Sequence, residues 1–249
     1  MPKKDSVIAT AGVRAAEAPN PPRARELPVV GQQCLLTLLI DTSPSMSGEP
    51  IAELNRGLRQ LFKDVGKAGK LQYLLQVQLR AFSDVSRTLK SMGPIDGYEP
   101  PEVAVTGSGT AIGEAVNEAL DESSTSRDRL ASQGVPIRAE VLAVFSDGEG
   151  NGSPAAYERA CARIHQLESK RVLSCFPIGV GPHAELKKLG QLSSQRSALR
   201  IADVRDFSLL FAWLLTSLDS LSMTRVGERV ELSNPLKSQD NPSGWASVD

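Results

Sequence analysis

The sequence predicts a doubly wound α/β fold: a mostly parallel central sheet with one antiparallel edge strand and helices on both faces. Three observations carry that expectation. Continuous apolar runs of strand length recur at 34–40, 141–145 and 172–180, as central strands covered on both faces require. Amphipathic helical stripes separate them, and strands alternating with helices imply parallel pairing through crossovers. One alternating segment, 71–82, is followed after a short Ser83-Asp84 turn by a second, 85–92, which should return as an edge hairpin.

Taken in order, the first strand (34–40) runs into the turn Asp41-Thr-Ser-Pro-Ser45. Ile51, Leu54, Leu58, Leu61, Phe62 and Val65 then recur at steps of three and four, one apolar face of a helix. Ser47 is placed to cap that helix, with Glu49 favouring its amino end. In 71–82, Tyr73, Leu75, Val77, Leu79 and Ala81 alternate with Gln72, Gln76, Gln78 and Arg80, which predicts a half-exposed strand. Gly93-Pro94 ends the hairpin. The turn Thr106-Gly-Ser-Gly-Thr110 opens a helix carrying Ile112, Ala115, Val116, Ala119 and Leu120, and the polar stretch 121–133 reads as an exposed extension or loop.

The strand at 141–145 ends in Ser146-Asp147-Gly148, and Pro154 suits the first turn of the helix that follows, with Tyr157, Ala160, Cys161, Ile164 and Leu167 on its inner face. After the strand at 172–180 come a short helix at 184–192, a short strand at 199–202 and an apolar closing helix at 206–222. Residues 1–30 read as a flexible arm and 225–249, rich in turn formers, as a tail, leaving 31–224 as the folded domain.

Composition narrows the function. At 249 residues, 41% hydrophobic and 23% charged, the chain is of ordinary globular type, and its net charge of −1 provides no general attraction to nucleic acid or anionic membrane. Three scattered cysteines fit buried thiols better than a disulfide framework. No signal-peptide-like start and no long uncharged run is present, so the expected location is the cytoplasm, with neither nucleic acid nor membrane as partner.

In a doubly wound sheet, ligands bind beyond the carboxyl ends of the strands where strand order reverses. Three segments should meet there: Asp41-x-Ser43-x-Ser45, the helix start at Thr110, and strand-terminal Asp147. Alternate residues of an extended turn project to one side, so Asp41, Ser43 and Ser45 can converge. Gly109 keeps side-chain bulk out of the Thr110 turn. Two carboxylates and three hydroxyls form a hard oxygen set that suits Mg2+, or Mn2+ or Ca2+, and disfavours Zn2+. Alone, Asp-x-Ser-x-Ser is equally consistent with an Asx turn.

The three segments together resemble the metal-ion-dependent adhesion site of the von Willebrand factor A (VWA) domain, and the order of elements from about Gln33 to Ser222 is similar to that layout. The stretches Met46-Ser-Gly-Glu-Pro-Ile51, Leu54-Asn-Arg-Gly-Leu58 and Gly107-Ser-Gly-Thr-Ala-Ile-Gly113 resemble bacterial tellurium-resistance proteins of the TerY type. The resemblance implies that Ser43 and Ser45 coordinate the metal directly, Thr110 directly or through water, and Asp41 and Asp147 mainly through water. It also implies a non-catalytic module that binds an Asp or Glu of a partner protein, in a setting of tellurite resistance, stress response or defence, with a phosphatase or kinase among the candidate partners. Two alternatives stand beside it: a Mg2+-dependent phosphohydrolase, for which no nucleophile and base pair accompanies the site, and an adaptor of an AAA+ chelatase-type motor, the chain having no Walker A motif of its own.

The remaining candidates take plainer roles. His183 reads as a surface-loop histidine, His165 as needing no role, and Lys187 and Lys188 as a solvated helix face. Asp203 and Asp206 stand at the same sheet edge as rim charges, Asp206 being equally placed to cap the closing helix. The stretch Ser146 to Gly152 lacks the alternating ligands and terminal Glu of an EF-hand loop.

Overall fold

The computed structural model describes residues 31–223 apart from Asp96, Asn151, Ala202, Val204 and Arg205, so the two tails expected at 1–30 and 225–249 lie outside the described residues. The elements are β1 (Gln33–Asp41), α1 (Glu49–Val65), α2 (Leu71–Leu74), β2 (Leu75–Phe82), β3 (Ser86–Pro94), α3 (Ile112–Ser132), β4 (Ile137–Ser146), α4 (Pro154–Ser169), β5 (Ser174–Val180), α5 (Leu186–Gly190), β6 (Leu199–Ile201) and α6 (Phe207–Met223). They build one six-stranded sheet in the order β3-β2-β1-β4-β5-β6. All pairings are parallel except β2 with β3, the expected antiparallel edge.

The pleat divides the core into two layers. Leu36, Leu38 and Ile40 of β1 pack with Leu54, Leu58 and Leu61 of α1 and with Phe207, Leu210 and Phe211 of α6. Leu39 on the opposite face joins Ile112, Ala115 and Val116 of α3 and Ala160 and Ile164 of α4. This follows from the period of two along each strand meeting the 3.6-residue period of each helix. No helix of the described residues is long and apolar enough to cross a membrane.

Four local expectations change. Residues 71–74 form a helical turn, because β1 starts at Gln33 and its register pairs Cys34 with Leu75, leaving nothing for an earlier β2 to pair with. β2 is buried along its whole length and not half exposed. Its polar face is covered by α3, which runs as helix through Ser132 in place of a loop, burying Ser123, Ser126 and Leu130 at helical spacing. Ser47 does not cap α1: Gly48, at φ +83°, precedes the helix, and the Ser47 amide donates to the Pro44 carbonyl. Ser153, one residue before Pro154, does cap α4, accepting from the Ala156 amide at 3.4 Å.

Strand order reverses between β1 and β4. The chain leaves β1 through α1 for β2 on one side, while α3 brings it back to β4 on the other. Asp41 and Ser146 therefore end adjacent strands at the switch point.

Candidate metal centre

Asp41 is fully buried at the carboxyl end of β1. Its Oδ1 accepts the Ser43 amide at 2.8 Å, the Asx turn foreseen from the sequence, and its Oδ2 accepts the Ser146 hydroxyl at 2.5 Å. Ser43, also buried, has its Oγ 2.9 Å from the Oγ of exposed Ser45. Turn and convergent hydroxyls are thus one structure: the Asx bond sets the turn, and the turn brings both hydroxyls to one side.

Asp147 follows on β4, half buried, with Oδ1 accepting the Glu149 amide at 3.1 Å. Burial pushes the Asp41 carboxyl up from 3.8 to about 6; hydrogen bonds from Ser146 and Ser43 hold it down, and the negative charge of Asp147 raises it further. The two carboxylates therefore share one neighbourhood, and neither makes an ion pair among the described residues.

Buried Thr110 arrives on a loop stitched to the Asp41 turn and to the turn between β2 and β3. The Thr106 amide donates to the Thr42 carbonyl at 2.8 Å, and the Ala111 amide donates to the Ser83 carbonyl at 2.7 Å. Gly107, at φ +68°, presses against Ser83 and Asp84, while the Ser108 amide donates to Asp84 Oδ2 at 2.7 Å. No side chain larger than hydrogen fits at Gly107. On the other flank, a Cβ placed on Gly150 would lie 3.3 Å from the Thr110 carbonyl, so the loop after Asp147 lies against Thr110. All five sequence-predicted positions sit on segments that meet at the switch point.

Two contributors were not foreseen. Thr42, between Asp41 and Ser43, bonds the Phe82 carbonyl at 3.0 Å and the Thr106 hydroxyl at 3.0 Å, tying β2 and the Thr110 loop to β1. Its position, alternating with the two serines, signalled a side chain aimed the other way. Lys188 is half buried, and its Nζ donates to the Gly150 carbonyl at 2.5 Å, so it is not part of a solvated face. His183 is exposed, and His165 places Nε2 2.9 Å from the Gln191 carbonyl. Asp203 and Asp206 are half buried just beyond β6.

The donor set fits a hard divalent cation. Two hydroxyl oxygens within hydrogen-bond distance of each other, beside two carboxylates whose charges repel, group hard oxygens where positive charge would relieve that repulsion. The set has no His or Cys, and among the described residues no group of three or more His, Cys, Asp or Glu could hold a metal. Any ion here would rest largely on Ser and Thr.

No protein-family model matches the chain, and no curated protein matches it. Solved structures do. Proximal thread matrix protein 1 from the mussel byssus aligns at a TM-score of 0.52 and 17% identity over 76% of this chain and 48% of that one. The same mussel protein with a zinc-occupied MIDAS motif aligns at 0.50 and 18% identity, over 76% and 48%. A von Willebrand factor type A structure from Catenulispora acidiphila aligns at 0.52 and 14% identity, over 75% and 43%. The chain thus spans about half the length of these three structures. At these identities the likeness concerns the path of the backbone, and on that ground the chain has the von Willebrand factor A-type fold.

Proposed function

We propose that the chain is a metal-dependent protein-binding module. Ser43, Ser45 and Thr110 would hold a divalent cation, with Asp41 and Asp147 orienting its water ligands. When bound, such an ion supplies an electrophilic centre that an Asp or Glu from another protein can complete. The observation that carries this reading is the state of Asp41. It is buried, held by the Ser43 amide and the Ser146 hydroxyl, raised by burial and by the charge of Asp147, and paired with no cation among the described residues. A wholly structural carboxylate of that kind would be better replaced by a neutral side chain.

We propose Mg2+ as the resident ion, since hard oxygens prefer it, with Mn2+ or Ca2+ as substitutes. The zinc in the MIDAS motif of the mussel protein makes Zn2+ the competitor to include. The sequence motifs similar to TerY-type proteins support a cytoplasmic role in bacterial tellurite resistance, stress response or defence, with a phosphatase or kinase as a suitable partner. The reading is non-catalytic, and phosphate release by the purified protein that depends on Asp41 would overturn that part of it.

The test is capture of partners from the native host with and without EDTA, beside titration of the pure protein with Mn2+ and Mg2+. Capture should fall at least tenfold with chelator and with Asp41→Ala. Equal capture under all three conditions would sink the proposal.

A further inference from the structure

The loop from Asp147 to Ser153 reads Asp-Gly-Glu-Gly-Asn-Gly-Ser, with glycine at every second position. Each of the three glycines is pressed by a different neighbour. A Cβ on Gly148 would lie 3.0 Å from the Glu185 Cβ and 3.1 Å from Leu189; on Gly150, 3.2 Å from Lys188 Nζ; on Gly152, 2.7 Å from Glu114 Oε2 and 2.9 Å from the Ala111 Cα. At Gly150 and Gly152 the loop is a strap drawn tightly against Thr110 and Ala111, and glycine is what permits that approach.

The strap is fastened at three points. The Glu185 amide donates to the Asp147 carbonyl at 2.7 Å, next to a predicted ligand. Lys188 Nζ donates to the Gly150 carbonyl at 2.5 Å. At the far end Glu114 Oε1 accepts the Ser153 amide at 3.0 Å. The second and third fastenings are charge-assisted, hence stronger than neutral ones. Lys188 is itself held: its Nζ lies 6.0 Å from the Tyr157 ring centroid, and the Tyr157 hydroxyl donates to the Lys188 carbonyl. A solvated lysine ammonium would have neither the Gly150 carbonyl nor the Tyr157 ring beside it.

We propose that Lys188 is a positioning residue for the metal centre: through Gly150 it clamps the strap so that Asp147 and Thr110 stay in register. The inference rests on the metal-binding reading above. Lys188 acts through the backbone: it holds the Gly150 carbonyl, three residues after Asp147, where the loop lies against the Thr110 carbonyl. Groups that orient metal ligands from behind typically cost tenfold to a hundredfold in affinity when lost.

The experiment titrates the full chain with Mn2+, following the free-ion signal by electron paramagnetic resonance, for wild type, Lys188→Met and Lys188→Arg. Lys188→Met keeps the stem beside Tyr157 and removes the donor. It should weaken Mn2+ binding at least tenfold, with the thermal midpoint of the chelated protein within about 2 °C of wild type, whereas Lys188→Arg should stay within threefold. Unchanged affinity in Lys188→Met, or an equal loss in Lys188→Arg, overturns the positioning role while leaving the metal reading intact. Absence of Mn2+ binding by wild type overturns both. Hydrogen exchange on wild type provides a measurement independent of folding in the variants: Mn2+ should slow exchange at the amides of 148–153, and no slowing there overturns the clamp.

Discussion

Two buried polar groupings share the α3 face of the sheet, and they are satisfied differently. On β2, Arg80 donates to Ser86 at 3.0 Å, to Thr88 at 2.8 Å and to Glu122 at 3.1 Å, and also pairs with Glu118. Gln78 bridges Glu122 at 2.6 Å and Thr37 at 3.1 Å, and Glu122 accepts the Met92 amide at 2.7 Å. Cation and carboxylates lie within one network. One strand away, Asp41 sits among hydroxyls, feels the negative charge of Asp147 and has no ion-pair partner among the described residues. A self-contained network belongs to the scaffold; a grouping that leaves like charges together is where a ligand is expected.

The largest expected effect lies in the scaffold. Arg80→Ala leaves Glu122 and Glu118 without their cation, and because Glu118 is half exposed the loss should be about 3 kcal/mol, below the upper range for a fully buried pair. Urea unfolding measures it, and Mn2+ affinity should change less than twofold. A comparable loss of metal affinity would show that the two groupings are one.

Asp41→Asn should act in the opposite sense. Wild type at a hundredfold excess of Mn2+ over its dissociation constant gains about 2.7 kcal/mol of stability, a gain the variant should lack. In chelator the sign reverses. The Asp41 carboxyl is raised from 3.8 to about 6, so its stabilising contribution is full below about 3.8 and is lost as pH rises through about 6. Metal-free wild type should therefore strengthen as pH falls across that window, and Asp41→Asn should flatten this part of the profile. An identical profile in both proteins would break the contrast.

These groupings also differ in how far the sequence announces them. Asp41, Ser43, Ser45, Thr110 and Asp147 stand at strand ends and at a helix start, places that periodicity locates well, and the structure brings their segments to one edge of the sheet. The Arg80 network was invisible because Gln76, Gln78 and Arg80 alternating with apolar residues is also the pattern of a solvated face. Alternation specifies which residues share a face and is silent on what covers it. The covering element, the second half of α3, was itself hidden by its polar composition, with only Ser123, Ser126 and Leu130 marking its inner stripe. Lys188 escaped for a related reason: its partner is a backbone carbonyl 38 residues away, and no local pattern encodes that.

The smallest effect separates strap from scaffold within a single residue. Ser153 has two functions: its hydroxyl caps α4 through the Ala156 amide at 3.4 Å, and its own amide is held by Glu114 at 3.0 Å. Ser153→Ala removes only the first. The capping bond is long, so its loss belongs at the low end of the usual range, about 0.5 kcal/mol. Because the backbone amide remains for Glu114, the strap should stay fastened and Mn2+ affinity should remain within twofold of wild type. Glu114→Ala removes the second function and should lower affinity with the α4 cap intact. If the two substitutions weaken Mn2+ equally, helix and strap loosen together, and the boundary between scaffold and site does not run through Ser153.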